Sequence, residues 1–307
     1  MTYAANEPLI GECLQGDCRT GTGMMQFPSK DKYIGHFKDN MPSGKGVVIF
    51  ADGTTLEGTF LKGISMGTGV KIFADGSRYE GKFYDGKPNG HGVMRSVDGS
   101  YYEGDWRNGS FSRGQGVRVG ADGSRYEGEF QFSLFHGEGI LVKVDGSKYE
   151  GQFNKGEFDG SGKLTYPDGQ LYIGRFVKNK FDGDGTLTFA DGSRYEGTFK
   201  DGEFSGQGIL TKVDGSEYRG QFENGDFNGQ GLLSFLDGRK YRGMFKDGKY
   251  NGNGVLTTPD GQRLTGDFAD GVFVESDDHK ESILEESMSY SETEEELPTG
   301  TDDDTKG

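Results

Sequence analysis

The residue types that most often carry chemistry are sparse in this chain and badly spaced for it. Its four histidines, His36, His91, His136 and His279, include no pair at metalloprotease spacing and none beside a cysteine. Cys13 and Cys18 alone cannot make a disulfide framework or a four-ligand zinc site. They read as two reduced thiols in one turn, with a local disulfide or redox pair as the alternative. Gly160-Ser161-Gly162-Lys163-Leu164 looks like a phosphate loop, but P-loop spacing puts the first Gly on Glu157 and the final Ser/Thr on Leu164. Asp182-Gly183-Asp184-Gly185 is too short for a calcium loop and lacks its late bidentate Glu. No catalytic, cofactor-binding or metal-ligating residue is assigned, no cofactor is expected, and the chain is expected not to be an enzyme.

Two other sets of side chains could act on partners. Phe135, Phe158, Phe181, Phe204, Phe227 and Tyr250 each stand two residues before a Gly-x-Gly pair and Phe111 three, where earlier copies have Pro42, Ser65 and Pro88. At a fixed repeat position they would form a ladder along one edge, either folded back as core or open as an apolar groove for a partner helix or second chain. The second set is Ser282, Ser289, Ser291, Thr293, Thr299 and Thr301, each with an acid three residues on, the pattern acidophilic kinases take. They lie in segment 275–307, where 13 acids face only Lys280 and Lys306. Such a composition is expected to be disordered, with its hydroxyls either regulatory or plain polar filler. Ser282 to Tyr290 could become helical on a partner through Ile283, Leu284 and Met288.

Composition narrows the class that must position these residues. Of 307 residues 56 are Gly and only 7 Pro, while 31% are hydrophobic and 13% aromatic. That excludes collagen, a Pro-rich chain and general disorder, and it leaves little material for a deep core. A net charge of -16 argues against nucleic acid as a partner. No apolar run is long enough to span a bilayer, and Met1 to Cys13 has no signal-peptide pattern, so a cytoplasmic protein is expected.

Periodicity supplies the architecture. Tyr-x-Gly-x-Phe begins at Tyr33, then, as a Leu variant, at Leu56, then at Tyr79, Tyr102, Tyr126, Tyr149, Tyr172, Tyr195, Tyr218 and Tyr241. A weak copy opens near residue 9 and a truncated one at Leu264. The spacing is 23 residues, except for 24 between Tyr102 and Tyr126. Alternation puts Tyr149, Gly151 and Phe153 on one face and, after a turn at Lys155-Gly156, Gly160, Gly162 and Leu164 on the same face. Each unit is therefore two short antiparallel strands, and Asp-Gly pairs such as Asp168-Gly169 join one hairpin to the next. Large rings lying flat across glycines would build the core, and no unit could bury its face alone. The expectation is an all-β, elongated single-layer solenoid over residues 9–274, with a short extension at 1–8 and the acidic tail at 275–307. At about 4.8 Å per strand the rod would be on the order of 100 Å long. The extra residue between Trp106 and Gly114 is expected in the turn, as a local bulge that leaves both strands in register.

The units resemble MORN (membrane occupation and recognition nexus) repeats. Tyr195-Glu196-Gly197-Thr198-Phe199, Asp201-Gly202, Gly206-Gln207-Gly208 and Asp214-Gly215-Ser216 carry the likeness. Where the family often has His before Gly-x-Gly, only His136 keeps it, against Asp159, Asp182, Ser205, Asn228 and Asn251. The resemblance implies a scaffold or adaptor for protein partners, at a cytoskeletal, ciliary or membrane-associated structure. It also implies, as alternatives, phosphoinositide contact or a regulatory subunit for an enzyme on another chain. Arg78, Arg125, Lys148 and Arg194 are balanced by Glu80, Glu127, Glu150 and Glu196, so no basic cluster for lipid is evident. Unpaired strands at the rod ends make a homo-oligomer, an elongated dimer, a further expectation.

Overall fold

A computed structural model describes residues 11–274. The acidic tail, with all six candidate phosphorylation sites, and the extension at 1–8 lie outside the described residues. Within them the chain is a single open antiparallel sheet of 24 strands, running from β1 (Glu12–Gly16) and β2 (Thr22–Gln26) to β23 (Arg263–Ala269) and β24 (Val272–Val274). Each strand pairs with the next in sequence, so the sheet is a continuous meander without crossovers.

One unit explains the rest. β13 (Lys148–Asn154) has seven residues and β14 (Glu157–Thr165) nine. They meet through a turn in which Lys155 (φ 52°) and Gly156 (φ 90°) are both left-handed, the type I′ geometry that matches strand twist. Gly151 faces Gly162 and Phe153 faces Phe158, so Gln152 opposes three residues of β14. That bulge absorbs the two extra residues. The next turn is different: Gly169 N–H donates to Tyr166 O at 3.1 Å and Tyr166 N–H to Gln170 O at 2.8 Å, with only Gly169 left-handed. In a sister turn Asp145 accepts the Ser147 N–H at 2.8 Å, which holds its carboxyl below the usual range. The recurrent Asp-Gly-Ser is thus a turn device.

Two sequence expectations are corrected. The extra residue of unit 102–125 is not in its turn, which remains a plain Asn108-Gly109. It lies in β10 (Ser110–Val119), where Ser112 bulges, and Gly104 of β9 (Tyr101–Arg107) faces Gly114 rather than Gly116. Keeping Gly104 on Gly116 would have left a three-residue bulge. Sliding by two residues reduces it to one and, because side chains alternate with period two, keeps every side chain on its face. Cys13 and Cys18 are joined as a disulfide with their Cα atoms 6.0 Å apart, not free thiols. Cys13 takes the place of an inward Phe yet is exposed, with no strand among the described residues on the far side of β1, whereas Cys18 is buried over Gly23.

The turn of unit 126–148 breaks a local rule. Phe132 (φ 49°) and Ser133 (φ 61°) occupy the left-handed positions where other turns carry Asp, Asn, Lys or Gly, and Phe132 is 72% exposed. A bulky residue there costs about 1–2 kcal/mol. Phe132→Asn with Ser133→Gly should raise stability by about 1 kcal/mol, less whatever is lost with the Ser133 Oγ bond to Phe111 O. The check is a higher urea midpoint at unchanged slope.

Candidate functional site

The inward face consists of a repeated aromatic box. The Tyr149 ring lies on the backbone of Gly162, so close that a Cβ there would come within 2.4 Å of the phenol oxygen and 2.6 Å of the ring. Its hydroxyl donates to Gln152 O at 2.8 Å. Phe158 stacks on the opposite ring face at 3.7 Å and 8°, while Phe153 and Phe176 meet the ring edges, both at 5.0 Å. Glycine, Tyr and Phe therefore form three layers, with Phe of this unit and of the next as side walls. Both stacked and edge-on contacts suit the ring quadrupole.

This assigns a place to every ladder residue. Phe135, Phe158, Phe181, Phe204, Phe227 and Tyr250 stack within 13° and at 3.7–3.8 Å on Tyr126, Tyr149, Tyr172, Tyr195, Tyr218 and Tyr241. They lie over the sheet and form its outer layer. Phe158 is buried, but Phe135, Phe181, Phe204, Phe227 and Tyr250 stay half-exposed. Phe111 differs: in the slipped unit it tilts against Tyr102 (53°) and Trp106 (56°) and is buried. Cations cover part of the row. Arg118 sits 5.3 Å from the Phe130 and Phe135 rings and Lys143 5.5 Å from Phe158. Partly exposed Tyr166 and Phe189 pack beside the stripe, and Phe235 holds the same repeat position with Arg239 4.8 Å from its ring.

Burial also sets the phenol chemistry. Desolvation pushes Tyr33, Tyr79, Tyr195 and Tyr218 up to about 12 from 10.0, and it raises Tyr172 as well, helped by Asp182 and Asp184. A raised folded pKa means the native state holds protons that the unfolded chain releases. Stability is then intact below pH 10.0 and falls as pH climbs toward about 12. An alkaline titration should show tyrosinate absorbance rising together with loss of β circular dichroism. Beyond the early signal of exposed tyrosines such as Tyr84, buried phenols ionising ahead of unfolding would contradict the boxed geometry.

The described histidines do not converge: His36 Nδ1 meets Thr22 Oγ1 at 3.1 Å, His91 lies 3.8 Å from Asp105, and His136 Nδ1 is buried without a partner. Among the described residues no group of three or more His, Cys, Asp and Glu could hold a metal.

The sequence shows Leu56 and Ser65 as variants, but not the cavity they open with Lys71, nor a second departure on the outer face. In unit 56–78 Leu56 replaces the Tyr, Ser65 the ladder residue and Lys71 the inward Leu, and a cavity of about 200 Å³ opens among Tyr33, Val48, Phe50 and Phe60. The Lys71 ammonium lies 5.4 and 5.1 Å from the Phe50 and Phe73 rings, and burial lowers its pKa against the opposing charge of Asp52. The second departure is a charge reversal on the outer face, at Arg219 and Arg242. Comparing each position along the repeat would have found both; balancing charges inside single units hid them.

A hairpin of about 23 residues copied along one sheet, each copy completing its neighbour's core, defines a β-repeat protein. The chain belongs to the MORN repeat family, whose model matches residues 33–55, 57–78, 79–101, 102–125, 126–148, 149–171, 172–194, 195–217, 218–238 and 241–263. No curated protein matches it. Among solved structures it is similar to the TCP domain of Drosophila melanogaster SAS-4 in complex with a proline-rich motif of Ana2, at 12% identity, TM-score 0.30, over 66% of this chain and 90% of that one. The TCP10 domain of Danio rerio CPAP gives 13%, TM-score 0.22, 80% and 99%. A virginiamycin B lyase from Staphylococcus aureus gives 12%, TM-score 0.15, 84% and 87%.

Proposed function

We propose that the chain is a non-enzymatic scaffold whose half-exposed aromatic stripe, Phe181 to Tyr250, binds an apolar segment of a partner protein. One observation carries this: rings already stacked on one side against the Tyr row still present their rims to solvent over four successive units. Rigid rings lose little entropy on binding, and continuous apolar surface of this kind marks interaction sites. Membership of the family supports a protein-interaction or membrane-associated role. We place that role in the cytoplasm, at a cytoskeletal, ciliary or membrane-associated assembly. A reducing cytoplasm would open the Cys13–Cys18 bond.

The test is a photo-crosslinking amino acid at Phe189 or Phe235, compared with the opposite face at Glu150 or Glu196. The stripe positions should give discrete protein adducts, and Phe189→Ser with Phe235→Ser should abolish partner capture at an unchanged melting temperature. Equal capture from both faces, or capture untouched by the double variant, counts against the reading.

A further inference from the structure

On the outer face, away from the aromatic core, a trough of about 640 Å³ crosses the strands from β17 (Arg194–Lys200) to β21 (Lys240–Lys246). Gly208, Gly220 and Gly231 lie in its floor, and Gln207, Gln230, Arg219 and Arg242 line it. The two arginines occupy the position after the repeat Tyr. Upstream that position carries Glu57, Glu80, Glu103, Glu127, Glu150 and Glu196, with the neutral Ile34 and Ile173 in the two remaining copies. The corresponding trough near His91 and His136 is lined by Glu103, Asp105 and Glu129 against a single Arg113, which Asp105 already holds at 3.0 Å. Charge at this position therefore inverts in the last two complete units.

These cations are incompletely neutralised. Arg219 pairs with Glu217 at 2.5 Å, and Glu196, at the far end of the trough, is held by Arg194 at 2.6 Å. Among the described residues, Arg242 and its neighbours Lys240, Lys246 and Arg263 have no carboxylate partner within 4.0 Å. The strongest acidic segment of the chain begins just beyond them. Residues 275–307 hold 13 acids against two lysines and follow Val274, which pairs with Asp267 of β23. From β24 to β21 is three strand spacings, about 14 Å, and to β19 (Glu217–Glu223) five, about 24 Å. Glu285 and Glu286 follow Val274 by 11 and 12 residues, a reach of up to about 36 Å.

We propose that the acidic segment 281–296 docks across this trough, with its carboxylates on the Arg242 and Arg219 guanidinium groups. The Glu-lined trough upstream repels the same segment, so the docking site is confined to the tail's own end of the rod. Arginine suits the role because its planar fork takes carboxylates bidentately. The tail then occupies the basic part of the outer face and excludes other acidic ligands from it, while leaving the aromatic stripe on the opposite face free.

The test uses the full chain bearing Ser287→Cys and a nitroxide, read by amide signals. The signals of 219–221, 230–232 and 242–244 should weaken about twofold or more against the reduced label, those of 127–129 and 150–152 should not, and ~1 M salt should restore them. Arg219→Glu with Arg242→Glu should also restore them at an unchanged melting temperature. Unweakened signals at the trough, or weakening that survives charge reversal, overturns the proposal. So does weakening of an isotope-labelled, nitroxide-free chain mixed with the spin-labelled one, which assigns the trough to a second copy's tail. Anionic vesicles that bind without displacing the tail from the trough would also overturn the exclusion of other acidic ligands.

Discussion

Tyr172→Ala should destabilise the rod by about 3–5 kcal/mol, the range for deleting a buried large aromatic. Tyr172 is fully buried, lies on Gly185, stacks at 3.7 Å on Phe181, and is walled by Phe176 at 5.0 Å and Phe199 at 5.1 Å. Removal unroofs the glycine pair and leaves Phe181 without its floor. Phe176 and Phe199, which the Tyr separates, cannot close the gap without moving two strands. Tyr172→Phe isolates the polar share: it keeps the box and loses only the bond to Arg175 O at 2.8 Å, a cost of about 1 kcal/mol. Guanidinium unfolding measures both. Since each hairpin contacts only its neighbours, amide exchange in the alanine variant should accelerate first in β14, β15 (Leu171–Val177), β16 (Lys180–Thr188) and β17. A loss under about 1 kcal/mol for Tyr172→Ala would mean that the box is not the stabilising unit.

The second large effect comes from adding one carbon. Gly185→Ala places a Cβ 2.6 Å from the Tyr172 hydroxyl oxygen and 2.8–2.9 Å from its ring atoms. Gly185 is in extended backbone, so no left-handed conformation is at stake, only space. The ring cannot lift, because Phe181 is stacked on its other side. Overpacking of this kind costs about 1–3 kcal/mol or more. Combining it with Phe181→Ala, which lets the ring rise, should cost less than the sum of the two single losses. A double-mutant cycle reads that coupling directly. Additive losses would show that ring and glycine are not in enforced contact.

Much of this was legible in the residues. The alternation of Tyr149, Gly151 and Phe153, the left-handed pairs such as Lys155-Gly156, and the 23-residue period determine strands, turns and stacking order. Same-face parity also allowed the ladder rings to fold inward, but parity cannot say whether a ring will stack or stand open. That depends on the bulge opposite Gln152, which brings Phe158 over Tyr149. The Cys pair misled because Cys13 holds the position of an inward Phe yet is exposed in β1, the first described strand. The trough at Arg219 and Arg242 was missed because rows that cross strands are assembled from residues about 12 or 23 apart in sequence.

The two-residue slide between β9 and β10 has a meaning beyond its own hairpin. Upstream, glycine pairs such as Gly92 and Gly104 share a row; downstream Gly116 and Gly128 do; but Gly104 meets Gly114. The rod is thus two blocks of one lattice joined at a dislocation, offset along the strands by about 7 Å. A rigid ligand laid along the tyrosine column in either block runs off it at the fault. Chemically similar units consequently become addressable: position along the array is measured from the fault, and the uninterrupted block from Tyr126 onward is the longer of the two among the described residues.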